Sequence, residues 1–72
     1  MRQFDNIFLT EREKDIVSLL LEGKTKQEIA QILALSISTI KTNIENIYKK
    51  TGVHNKVELI IYLVKNNIVK LM

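Results

Sequence analysis

With 72 residues the chain is shorter than most domains, so it has room for one small core and none for a second domain, which excludes two-lobed enzymes and cofactor-binding α/β folds. Eleven Lys and Arg against eight Asp and Glu leave a net charge of +3, and 46% hydrophobic with 26% charged residues is the balance of a folded protein. Cysteine is absent and His54 is the single histidine, so disulfides, thiolate chemistry and a zinc cluster are excluded and no cofactor is expected.

A chain of this size buries only about 60% of the surface its unfolded form exposes, which makes a partner chain the remaining source of added stability. No apolar run approaches the ~18 residues that span a bilayer, and residues 1–5 lack the apolar core of a signal peptide. The expectation is one domain over 1–72, in a reducing cytoplasm, with no membrane partner. Charge is unevenly placed. Residues 1–23 hold three basic and five acidic side chains, net −2, whereas residues 24–72 hold eight basic and three acidic, net +5. A polyanion would bind the basic part.

Four helical patterns follow one another. Thr10 with Glu13 three residues on is a capping box, and the Ile16, Val17, Leu20 stripe behind it predicts a first helix over about 11–22. Thr25 with Glu28 repeats the device before Ile29, Ile32 and Leu33, predicting a short second helix over 26–33. Ala34-Leu35-Ser36 is a tight turn in which Ser36 can cap a third helix over 37–50. The apolar stripe of that helix, Ile37, Ile40, Ile44, Ile47 and Tyr48, is assigned to the core, and Ser38, Lys41, Thr42, Glu45, Asn46 and Lys49 to the opposite face. Asn55 with Glu58 predicts a fourth helix over 56–66. Its β-branched run gives a strand some claim on 59–64, but the cap and the helical company outweigh it. Gly23 and Gly52 fall directly after helical patterns, where a left-handed residue ends a helix. The fold class is all-α with four helices.

The second and third helices, joined by a three-residue turn, have the constraints of a helix-turn-helix. Ala30 is the small residue at the close approach, and Ile29, Leu33, Leu35 and Ile40 are the apolar set around the corner. The polar face of the third helix is then free to enter a major groove about 12 Å wide. Helix N-termini near Thr25 and near Ser38 and Thr39 are anion sites, surrounded by Lys24, Lys26, Lys49, Lys50 and Lys56. Thr10, Arg12 and Glu13 are explained by capping and by a salt bridge to the basic half, and His54 by an ordinary surface position. The fourth helix is apolar around nearly its whole cylinder. Either the tail residues Ile68, Val69, Leu71 and Met72 fold back over it, or it is a self-association surface.

Over residues 9–65 the chain also resembles the LuxR-type helix-turn-helix of the NarL/FixJ class of response regulators, quorum-sensing regulators and GerE-like proteins. The resemblance is carried by Leu9-Thr10 with Arg12-Glu13, Gly23 followed by Glu28-Ile29-Ala30, Ser36 with Thr39-Ile40-Lys41, and Lys50 with Gly52-Val53. It implies a regulator that binds double-stranded DNA as a homodimer, with the third helix in the groove, the fourth at the dimer contact through Val57, Ile61 and Val64, and RNA polymerase as a further partner. The base-reading residues it implies are Lys41, Thr42 and Glu45, and its backbone contacts include Thr39, Asn43 and Lys50. Many members carry histidine at the place of Asn43, and the NarL-like branch a basic residue at the place of Glu45. Glu45 would therefore accept from a cytosine amine or pair with Lys41 or Lys49. With the residues at the helix starts, the phosphate set is Lys24, Thr25, Lys26, Ser38, Thr39, Asn43, Lys49 and Lys50. The rivals are a sigma-factor promoter-binding region, which usually stops after the recognition helix, and a helical adaptor that binds a protein through the fourth helix. No paired carboxylate, nucleophile with base or metal cluster suggests an enzyme.

Overall fold

Each helix begins at a side chain that accepts from one of its free amides, and the computed structural model, which describes residues 9–65, shows these caps formed. The helices are α1 (Glu11–Leu21), α2 (Lys26–Leu33), α3 (Ile37–Thr51) and α4 (Lys56–Lys65). At α1 the Thr10 hydroxyl accepts from the Glu13 amide at 3.1 Å and the Glu13 carboxylate accepts from the Thr10 amide at 2.9 Å. Thr25 and Glu28 make the same reciprocal pair at α2. Ser36 caps α3 through the Thr39 amide at 3.1 Å. The α4 cap differs slightly from expectation, because Asn55 accepts from the Glu58 amide while the Glu58 carboxylate takes the amide of His54, one residue further out.

The three turns between helices share one hydrogen-bonding scheme. A residue with positive φ stops the helix, and the amide after it reaches back five residues: Lys24 to the Leu19 carbonyl, Leu35 to Ala30 and Val53 to Tyr48. Glycine supplies the positive φ at Gly23 and Gly52, as the sequence predicts. In the middle turn it is Ala34, at φ 57°, a left-handed non-glycine residue that composition gives no reason to expect.

The core is built from Leu9, Ile16, Val17 and Leu20 of the α1 region, Ile29 and Ala30 of α2, Ile40, Ile44 and Ile47 of α3, and Leu59 and Leu63 of α4. α3 touches all three other helices, so its inner isoleucines are the centre on which the rest assemble. One residue of the α2 pattern, Ile32, and one residue assigned to the core, Ile37, lie outside it. Ile29 and Ala30 are the buried pair of α2, which sets its inner face between them and leaves Ile32 53% exposed. Ile37, the first residue of α3, sits at the edge of the stripe defined by Ile40 and Ile47 and is 39% exposed. Residues 68–72, proposed above as a cover for α4, and the expected last residue of that helix lie outside the described residues.

Candidate nucleic-acid interface

α3 turns about 100° per residue, so with Ile40, Ile44 and Ile47 inward, Ser38, Thr42, Glu45 and Lys49 straddle the outward direction and Lys41 stands on one flank. All five are exposed. Among the described residues Glu45 forms no ion pair with Lys41 or Lys49, so its carboxylate and both ammonium groups are free to meet a ligand. Asn43 and Thr39 lie on the other flank, half-buried. The Asn43 amide donates to the Thr39 carbonyl at 2.8 Å, which fixes the side chain and leaves its second N–H available.

Lys50, the last cation of the phosphate set, is already engaged. Its ammonium donates to the Glu13 carboxylate at 2.6 Å, and Glu13 is the buried charged residue of the described core, at 3% exposed. This is the salt bridge to the basic half that the sequence suggests, and it ties the start of α1 to the end of α3. Burial pushes the Glu13 carboxyl up, but the hydrogen bonds from Lys50 and the Thr10 amide, the Lys50 charge and the Thr10 hydroxyl outweigh it and hold the pKa below the usual value of 4.5. An ammonium has three donors, so two remain on Lys50.

At the start of α2, Lys24, Thr25 and Lys26 stand together, Lys24 half-buried and the other two exposed. The Glu28 carboxyl is also lowered, first by the Thr25 amide it accepts from and in part by Lys24. A negative charge of the chain's own therefore occupies this terminus. On α4, Leu59 and Leu63 are buried, whereas Val57 is 66% and Ile61 50% exposed on the opposite side, with Val64 half-buried beside them. His54 is exposed, with Nδ1 3.3 Å from the Glu58 carboxylate. Among the described residues no group of acidic, histidine or cysteine side chains could hold a metal, and no helix is long and apolar enough to cross a membrane.

The profile of the family described as bacterial regulatory proteins, luxR family (GerE), matches residues 8–63 and so takes in α4 as well as the helix-turn-helix. The chain is 38% identical over 65 residues to the probable transcriptional regulator ycf29 of Porphyra purpurea, covering 90% of this chain and 31% of that protein. It is 41% identical over 61 residues to the transcriptional regulatory protein LiaR of Bacillus subtilis, covering 85% and 29%, and 50% identical over 52 residues to the response regulatory protein YgeK of Escherichia coli, covering 72% and 35%. The chain thus spans about a third of the length of the curated relatives it matches. No solved structure matches it. A four-helix fold with a capped helix-turn-helix, an outward polar face on α3 and a family match over most of its length place the chain in the LuxR family of DNA-binding transcription regulators.

Proposed function

We propose that the chain binds double-stranded DNA sequence-specifically as a homodimer, each protomer laying α3 in a major groove of a repeat about one helical turn apart. Lys41, Thr42 and Glu45 contact base edges. A lysine donates to guanine O6 and N7, and a glutamate accepts from the cytosine amine. Lys24, Thr25, Lys26, Ser38, Thr39, Asn43, Lys49 and Lys50 hold phosphates on either side, and α4 pairs with its copy through Val57, Ile61 and Val64. The observation that carries this reading is the outward face of α3, where exposed Lys41, Thr42 and Glu45 lack intramolecular partners among the described residues while the isoleucines behind them are buried. The chain performs no catalytic step, works in the cytoplasm as one DNA-binding domain, and communicates with RNA polymerase.

Selection of bound sites from a random duplex pool, followed by a salt titration, tests it. Symmetric or repeated half-sites are expected, with log affinity falling against log salt at a slope near ~0.9 per phosphate. Lys41→Ala should cost about 1–3 kcal/mol and relax the preference at one base pair, whereas Lys50→Ala should weaken all sequences alike and lower the slope by about one. Intact operator binding by Lys41→Ala would remove α3 from the groove.

A further inference from the structure

The sequence pattern assigns Ile37 to the core, but the structure leaves it 39% exposed as the first residue of α3, the end of a recognition helix that reaches base edges. The fold itself asks for a different residue there. The first turn of a helix favours carboxylates over a branched aliphatic side chain, and this one has none. Ile37 also stands in line with two of the proposed base contacts. Ile37, Lys41 and Glu45 are spaced i, i+4 and i+8 and form one ridge along two turns of α3, all three exposed. Along that ridge the chemistry runs from apolar to donor to acceptor.

The major groove offers one apolar group, the C5-methyl of thymine, beside the acceptors of guanine and the donor of cytosine. Resting on the DNA-binding reading above, we propose that Ile37 packs against a thymine methyl and so is a specificity-determining residue at the edge of each half-site. Four residues of helix rise about 6 Å, and base pairs are stacked about 3.4 Å apart, so this thymine lies one to two steps from the base contacted by Lys41.

Uracil lacks only the methyl, which makes the test chemical as well as genetic. Duplexes selected by the unmodified chain from a random pool are resynthesised with each thymine replaced in turn by deoxyuridine. At one position, within two base pairs of the base whose preference Lys41→Ala relaxes, the replacement should weaken binding about fourfold, the equivalent of one buried methyl. Ile37→Ala, checked for an unchanged thermal melt, should bind the thymine and uracil duplexes equally at that position. If the unmodified chain binds every uracil duplex as well as its thymine counterpart, or if Ile37→Ala keeps the full discrimination, the proposal is wrong while the groove assignment stands. If no sequence is enriched from the pool, both fall together.

Discussion

At the start of α2 the Glu28 carboxylate lies 2.8 Å from the Thr25 amide, whereas at the start of α3 the same third position is Thr39 and the first turn has no acid at all. Both ends are capped by a hydroxyl, through Thr25 and Ser36, and both caps are 3.1 Å long. The difference lies in what completes the cap. α2 neutralises its own terminus, which stabilises a helix of only eight residues. α3 has fifteen residues and three buried isoleucines to hold it, so it can leave its positive end open to an outside anion. Under the proposed DNA-binding reading, the negative charge that α2 supplies from its own Glu28 would come at α3 from a phosphate.

That contrast can be broken most severely by giving α3 the charge that α2 carries. Ser38→Glu should stabilise the helix by about 0.3–1 kcal/mol and still reduce affinity for duplex DNA by at least about tenfold, measured by thermal melting and gel shift on one preparation. Unchanged binding would show that the α3 terminus faces away from the phosphates.

The reverse exchange, Glu28→Gln, retains a hydrogen-bonding side chain and removes the competing charge. Affinity at low salt should rise by a few-fold, with a steeper salt dependence. Equal slopes for variant and parent would take the α2 terminus out of the phosphate contacts.

A third variant sharpens the role of Lys50. Glu13→Ala removes the α1 cap partner and the buried anchor of Lys50, and should cost about 1–2 kcal/mol in a denaturant melt. Because the folded Glu13 pKa is depressed, its stabilisation is complete above the ordinary value of 4.5 and is lost as pH falls below it through the folded pKa. In such melts the stability gap between parent and Glu13→Gln should therefore be widest above pH 4.5 and narrow as the pH falls below it, and a gap that does not narrow on acidification would contradict the pairing.

The smallest effect belongs to the turn between the two helices. Ala34 holds φ 57°, where an L-residue other than glycine is strained by about 1–2 kcal/mol, so Ala34→Gly should raise stability by up to about 1 kcal/mol after the added freedom of the unfolded chain is subtracted. A lower melting temperature would mean that the alanine methyl makes a contact worth more than the strain.

Much of this was legible because the relevant signals are local. The four starts are marked by a hydroxyl or amide side chain with a partner three residues on, and Gly23 and Gly52 stand where two helices stop, so all helix limits fall within a residue of expectation for the residues described. The exposed face of α3 follows from the spacing of Ile40, Ile44 and Ile47 alone. The pattern misplaces Ile37 because periodicity fixes a stripe only to within about one residue's rotation. Which edge of the stripe is covered depends on how α2 turns toward Ala30, a tertiary matter. Ala34 was illegible for a related reason, since the turn length forces a left-handed residue whatever its type. The Glu13–Lys50 pair spans 37 residues, and sequence indicates only that an acidic N-terminal part will meet a basic remainder, without naming the partner.

The most direct test is to add a selected duplex to the isotopically labelled chain and follow the backbone amide shifts. The largest changes are expected at positions 38 to 50, with smaller ones near Lys24 to Lys26 and little along the inner side of α1. Changes confined to α4 or to α1, with α3 silent, would contradict the claim that the outer face of α3 lies against DNA.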